Sequence, residues 1–268
     1  LEEIICEKTG AKYAVAVSNG TAALHLAAMA ACIGPGDEVI VPAITFAASA
    51  NCALYCGGTP VFADIDPDTL LIDVDDIKRK ITDKTKAIIP LPFAGEVCNM
   101  EALSDLAAQY DLHIIQDCSH SIGSKVFDRN QGEYPGQQTW SFHPVKTVTT
   151  GEGGAVTTND ESVFRKLLLY RTHGITRDPG LYMNENEGGW YYEMLDLGYN
   201  YRLTDIQCAL GISQFKKLDK FGKRRKDIVK MYNKAFKDIP MLNILESPKY
   251  SDAARHLYPI QVRPERRK

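Results

Sequence analysis

Ser141 to Gly154 reads SFHPVKTVTTGEGG, and in it a single lysine, Lys146, stands between a serine and a glycine cluster. An amine fixed on tight backbone beside a hydroxyl able to hold a phosphate is the arrangement that keeps a cofactor aldehyde as a Schiff base. Most lysines are solvated surface groups, so Lys146 acquires weight only from its company. Upstream, HIIQDCSHSIG places Asp117 after four apolar or semi-apolar positions. A buried carboxylate needs a cationic or hydrogen-bonding partner. The protonated nitrogen of a pyridine ring would be one, and capping the next segment is the plainer use. His120, three residues on, is a candidate contact to a ring hydroxyl or to substrate, or a surface histidine. Ser18-Asn19-Gly20-Thr21-Ala22 leads into a helical pattern. Gly20, Thr21 and Ala22 there are candidate backbone holders of a phosphate, in competition with an ordinary capped helix start. Phe46, in PAITF, can stack on a flat ring or pack in the core. A lysine, a carboxylate, an aromatic, a serine and a phosphate loop together are the set that pyridoxal phosphate (PLP) requires.

Such residues act together only if the chain brings them to one place. Apolar, β-rich runs occur at 13–17, 38–41, 60–63, 87–91, 113–116, 139–142 and 155–158. Helical patterns lie between most of them, at 21–31, 47–55, 74–81, 100–109 and 161–173. Short buried strands alternating with helices predict an α/β fold with a mostly parallel sheet flanked by helices. In such sheets ligands bind at the carboxyl ends of strands, and each residue named above falls at such an end. GPGDE at 34–38, DPDT at 66–69 and TNDES at 158–162 supply turn or helix-start chemistry. Beyond Leu203 the helices lengthen, to 205–218 and 220–236, and IPMLNI near 239–244 is expected to open a second, smaller domain.

Composition excludes several other classes. The chain has 268 residues, 44% of them hydrophobic, a net charge of −3 and a pI near 6.1. That suits a packed globular protein and provides no basic field to recruit nucleic acid. No apolar run reaches the roughly 20 residues of a membrane span. Seven cysteines, scattered and odd in number, point to reduced thiols in a cytoplasmic setting rather than a disulfide framework. Cys52 and Cys56 lie four apart on a helical pattern without a histidine or cysteine cluster, which favours packing over a metal site.

The ordered set VSNGTAALHLA, GDEVIVPAITFAASANC, DIDPDT, QDCSHSIG, SFHPVKTVTTGEGGAV and LGYNYRLTDIQCALG resembles the PLP-dependent sugar aminotransferases of the DegT/DnrJ/EryC1/StrS family. The resemblance covers nearly the whole chain. It implies the fold type I, aspartate aminotransferase-like architecture. It also implies Lys146 as the Schiff-base lysine, Asp117 as the pyridinium partner, Phe46 as the stacking aromatic, and Gly20, Thr21, Ala22 and Ser141 as phosphate contacts. In Gly198-Tyr199-Asn200-Tyr201-Arg202-Leu203 the family's asparagine reaches the phosphate of the neighbouring subunit, so a homodimer with Asn200 acting in trans is expected; capping of the following helix is the competing use. His173 is a weak substrate-contact candidate or a helix-end residue. The implied reaction runs in two halves, with L-glutamate as amino donor and a nucleotide-linked keto sugar as acceptor. GGWYYEMLDLGYNYRLTDIQCALGISQ, FHPVKTVTTGEGGAV and RTHGITRD further resemble the transaminases of pseudaminic acid biosynthesis, which aminate a UDP-linked 4-keto sugar at C4. Related sugar 3-dehydratases carry histidine in place of the Schiff-base lysine, and position 146 here is lysine. A catalytically silent relative would have lost Lys146, Asp117 or the phosphate loop, and none is lost.

Pro90-Leu91-Pro92-Phe93-Ala94-Gly95 departs from the family's frequent V-H-L-Y-G form, lacking its histidine; the pseudaminic acid branch tends to carry F-A-G or V-A-G. The expected organisation is a large PLP-binding domain over 1–238, short of its N-terminal segment, and the start of a truncated small C-terminal domain over 239–268. The last apolar run, 256–262, is expected to be a strand with nothing to pair with.

Overall fold

The computed structural model describes residues 1–185, 187–263 and 265. It begins with α1 (Glu2–Thr9), β1 (Tyr13–Val17), α2 (Gly20–Ala30), β2 (Glu38–Pro42), α3 (Ala47–Tyr55), β3 (Thr59–Ala63), α4 (Val74–Lys80), β4 (Thr85–Ile88), α5 (Met100–Tyr110) and β5 (His113–Asp117). Two short strands, β6 (Lys125–Val126) and β7 (Arg129–Asn130), precede β8 (Gln137–Ser141), β9 (Gly154–Thr158) and α6 (Glu161–Arg171). Then come β10 (Ile175–Thr176), β11 (Glu193–Met194), α7 (Asp205–Phe215), α8 (Leu218–Phe236), β12 (Leu242–Ile244), β13 (Ser251–Asp252) and β14 (Ile260–Val262).

The central sheet has seven strands in the order β1-β9-β8-β5-β4-β2-β3. β9 is antiparallel to both its neighbours, and the remaining pairings are parallel. Six strands therefore point the same way and deliver their carboxyl ends to one edge. Both faces of the sheet are covered. In β2, Val39 and Val41 pack with α2 and α3, while Ile40 between them packs with α4 and α5. Ile115 and Ile114 of β5 divide in the same way. Successive side chains of a strand alternate between faces, so burial on both sides favours a continuous apolar run such as VIV in β2, whereas the buried Gln138 and Thr157 of β8 and β9 are accommodated by hydrogen-bonding to each other. Cys52 packs in the α2–α3 core and Cys56 lies against it. A third cluster joins α1 to Trp140, Phe142, Phe215 and Leu218. No helix among the described residues is long and apolar enough to cross a membrane.

Three expectations need correction. The run at 87–91 is β4 only as far as Ile88, preceded by Thr85 and Lys86. Pro90 has no N–H to give the ladder, and the chain continues on single bonds, Ile89 N to Ile40 O and Asp117 N to Pro90 O. The helix expected over 161–173 stops at Arg171, because His173 and Gly174 both take left-handed φ values of 59° and 68°. The run at 256–262 does find a partner: β14 begins at Ile260 and pairs antiparallel with β12, Leu242 opposite Val262. IPMLNI supplies that partner. β13 returns to the main body and pairs with β6, Ser251 opposite Val126. Of the range 239–268 expected to open a second domain, residues 264 and 266–268 lie outside the described residues.

Candidate active site

The edge reached by the strands' carboxyl ends opens on a cavity of about 830 Å³. Its floor begins at the turn from β1 into α2. Asn19 caps the helix, its side chain accepting from Ala22 N at 2.8 Å. The Ala22 N–H is thereby engaged by protein, leaving the Gly20 and Thr21 N–H groups of the first turn without an intrahelical acceptor. A Cβ at Gly20 would sit 2.9 Å from Ser141 Cβ and 3.2 Å from Ser141 Oγ. Only glycine lets the helix start come this close to the end of β8, so the first-turn N–H groups and the Ser141 hydroxyl form one cradle. The positive end of the α2 dipole adds to its preference for an anion.

Asp117, the last residue of β5, is 2% exposed. Its carboxylate accepts from Ser49 Oγ at 2.7 Å, Ser119 Oγ at 2.6 Å and Ser119 N at 3.2 Å. Thr45 Oγ1 donates in turn to Ser49 Oγ at 2.7 Å. Hydroxyls of α3 and of the turn after β5, with the Ser119 N–H, thus satisfy a buried charge in place of a cation, and Thr45 from the turn after β2 orients the Ser49 hydroxyl.

Lys146 lies on the loop between β8 and β9. Lys146 N donates to His143 O at 2.9 Å, Phe142 N to Gly153 O at 2.8 Å, and Thr150 N to Phe142 O at 2.9 Å. These bonds fold the loop back on itself, which fixes the lysine backbone. Its Nζ has no hydrogen-bond or ion-pair partner among the described residues. Burial pushes the amine below its ordinary value, and the Asp117 charge opposes that shift. An amine held toward neutrality and left free is prepared to act as nucleophile and as base.

Phe46 also lines this cavity and is 71% exposed, so it is not packed in the core. His120 stands in the wall, its ring tilted against His256 at a centroid separation of 4.6 Å. Gly20, Thr21, Ala22, Phe46, Asp117, His120, Ser141 and Lys146 therefore share one cavity. Asn200 and His173 are not in it. Asn200 is exposed and bridged to Thr172, although its neighbour Tyr201 lines the cavity. His173 is exposed at the left-handed turn after α6, where its N–H bonds to Tyr199 O. PLP fits the residues present: the Gly20–Ser141 cradle suits a phosphate, Asp117 a protonated ring nitrogen, and the free Lys146 amine an aldehyde.

Thr45, Ser49, Ser119, Tyr55, Tyr201 and His256 escaped the sequence reading. Thr45 and Ser49 lie one helical turn apart, a spacing that puts both on one side of a helix start, and that was the available signal. Nothing near His256 in sequence marks it, because its neighbours in space come from elsewhere in the chain.

A family model described as DegT/DnrJ/EryC1/StrS aminotransferase matches residues 1–268. A GDP-perosamine synthase of Caulobacter vibrioides is 37% identical over 96% of this chain and 66% of its own. The UDP-4-amino-4,6-dideoxy-N-acetyl-beta-L-altrosamine transaminase of Campylobacter jejuni is 37% identical over 98% of this chain and 68% of its own. The crystal structure of Helicobacter pylori PseC, an aminotransferase involved in the biosynthesis of pseudoaminic acid, superposes with a TM-score of 0.89 at 34% identity, covering 98% of this chain and 69% of that one. The chain spans about two thirds of the length of the curated relatives it matches.

Proposed function

The chain belongs to the DegT/DnrJ/EryC1/StrS aminotransferase family, and from that premise we propose that it moves an amino group from L-glutamate to the keto group of a nucleotide-linked 4-keto-6-deoxy sugar. Pyridoxal phosphate is the cofactor of this family. When bound, it supplies an aldehyde that exchanges amines and a ring that accepts the electron pair left when a proton leaves carbon. The observation that carries the reading is the free, partly buried Lys146 amine sharing a cavity with a saturated buried carboxylate.

Each residue has a task in this proposal. Gly20 N, Thr21 N and Ser141 Oγ would hold the phosphate, and Phe46 would cover a ring face. Asp117 would hold the proton on the ring nitrogen. Ser49 and Ser119 fix the carboxylate, so its charge is directed rather than mobile. Lys146 Nζ would hold the aldehyde and, as a free amine, would take the proton from the donor's α-carbon. That step needs the uncharged amine, which burial favours. In the second half Lys146 Nζ returns a proton to the sugar carbon that receives nitrogen.

The acceptor we favour is UDP-2-acetamido-2,6-dideoxy-β-L-arabino-hex-4-ulose, the C4-ketone of pseudaminic acid biosynthesis. Its support is the likeness to the Campylobacter and Helicobacter proteins together with the F-A-G form at Phe93–Gly95. The equal identity to a GDP-perosamine synthase favours a second reading, amination of a GDP-linked 4-keto sugar. A homodimer with Asn200 reaching the neighbouring site belongs to the same proposal. In its support, Asn200 is exposed and outside its own chain's cavity, and Ile206 of α7, near it in sequence, is 85% exposed.

The visible absorbance of the protein with PLP, before and after L-glutamate, tests the reaction. A band that glutamate bleaches, and that Lys146→Ala lacks, supports transamination. A wild-type protein showing no such band overturns it. Assaying the UDP- and GDP-linked ketones side by side then separates the two sugars. Mixing Lys146→Ala with Asn200→Ala restores activity if Asn200 acts across subunits, and leaves both inactive if it does not.

A further inference from the structure

His256 stands beside Lys146 in the cavity, yet it comes from the far end of the chain and no step above uses it. Its ring and that of His120 lie 4.6 Å apart at 38°. The Nδ1 atom of each is buried without a hydrogen-bond partner. Two unpaired imidazoles against each other carry a cost, so something must hold them there.

The device is a buried clamp behind the wall. Glu96 is fully buried, and its Oε1 pairs with Arg255 at 2.5 Å. The same carboxylate accepts from Ser247 Oγ at 2.8 Å and Ser251 Oγ at 2.6 Å, and Arg255 also donates to Ser247 Oγ. The backbone closes the clamp: His256 N donates to Ala94 O at 2.8 Å, and Ala254 N to Ser124 Oγ, which donates to Gly95 O. A Cβ at Gly95 would come within 2.7 Å of Arg255 N, so glycine permits the approach. Arg225 holds the His256 carbonyl from α8 at 3.0 Å.

We propose that Glu96 and Arg255 are positioning residues whose buried ion pair seats His256 against His120, making the two imidazoles an uncharged hydrogen-bonding wall beside Lys146. Burial and the Lys146 amine push His120 down to about 4. Burial first, then His120, Lys146 and Arg225, push His256 down to about 3. The groups around the pair are thus Lys146, Arg225 and Arg255 on the cationic side and Asp117 and Glu96 on the anionic side, and both carboxylates are already engaged by serines or Arg255. Neutral rings beside Lys146 add no positive charge to the site while offering nitrogens to an incoming polar group.

This inference rests on the aminotransferase reading only for the purpose of the wall; the seating itself is testable without cofactor. Histidine C2–H resonances of the full chain, with and without PLP, would be titrated by NMR, with His120→Gln and His256→Gln giving the assignments. Both signals are expected to titrate below pH 5 in the wild type. Arg255→Met and Glu96→Gln are expected to move them up by at least about one pH unit, toward the ordinary value near 6.5, and Arg255→Lys to restore them in part. The acid limb of the transamination pH profile should shift with them. Wild-type signals near 6.5, or unmoved signals in a folded Glu96→Gln or Arg255→Met protein, overturn the proposal. Loss of the cofactor band with the titrations intact would sink the aminotransferase reading and leave the clamp standing.

Discussion

The two edges of the central sheet carry cavities of comparable size, about 830 Å³ at the strands' carboxyl ends and about 600 Å³ at the opposite edge. Both are lined by acids, amides and histidine, one histidine at the second edge and three at the carboxyl edge, and they differ in what those groups are already doing. At the second edge Asp160 spends its carboxylate on Ser162 N and Val163 N, capping α6. Asn159 takes Lys12 N and gives to Gly132 O, and Asp111 ends α5 in a left-handed turn. Gln137 Oε1 lacks a partner there, but the atom is closed off from the cavity. At the carboxyl edge Asp117 is held by two serine hydroxyls and the Ser119 N–H, and the amine of Lys146 has no hydrogen-bond or ion-pair partner among the described residues. Polar groups consumed by the backbone mark a structural edge; a free amine facing an oriented charge marks a chemical one.

The strongest way to break this contrast is Lys146→Ala. Transamination should fall by roughly 10³-fold or more, with the melting temperature unchanged because Nζ makes no hydrogen bond or ion pair among the described residues. A large fall in melting temperature would make Lys146 a structural residue and erase the distinction. Asp117→Asn should cost about 10²- to 10³-fold in kcat and weaken cofactor retention, measured by dialysis and absorbance; near-normal turnover would show that its charge is idle.

The pH dependence of stability sharpens the comparison further. His120 and His256 have folded values near 4 and 3, below the ordinary 6.5. The unfolded chain therefore binds protons that the native state refuses, and stability present above pH 6.5 is lost as pH falls toward 3. Urea unfolding between pH 4 and 7 should show this slope, and His120→Gln with His256→Gln should flatten it. Smaller effects remain. Ser49→Ala removes one donor from Asp117 and should cost about 1 kcal/mol, read as a several-fold fall in kcat. Asp160→Ala should cost about 1 kcal/mol of stability and leave kcat alone; an equal effect on turnover would join the two edges functionally.

Asp117 and Asp160 also show how far the sequence could be read. Each is an acid at the junction of a strand and a following turn or helix. TNDES at 158–162 carries the short polar residues of a helix start, and a cap is what forms there. In HIIQD, Asp117 follows two isoleucines and a buried glutamine of a central strand, so it arrives buried. Local pattern separates these two because burial follows from the run preceding each. His173 was ambiguous because a helix end and a substrate contact use the same residues, and only the left-handed turn places it. Ala22 was legible as part of an anion cradle, but not that Asn19 would claim its N–H. His256 and the Glu96 clamp were illegible, since a buried ion pair between distant segments leaves no periodicity in either.

That clamp also bears on when the cavity comes into being. Ser247 and Ser251 meet Glu96 across 151 and 155 residues of chain. Contacts of such separation close long loops and form slowly compared with local helices and neighbouring strands. During synthesis, which proceeds from the N-terminus, the Lys146 loop and Asp117 emerge well before His256. The nascent chain therefore passes through an interval in which Lys146 and His120 are already made while His256, the other half of the wall, has yet to leave the ribosome.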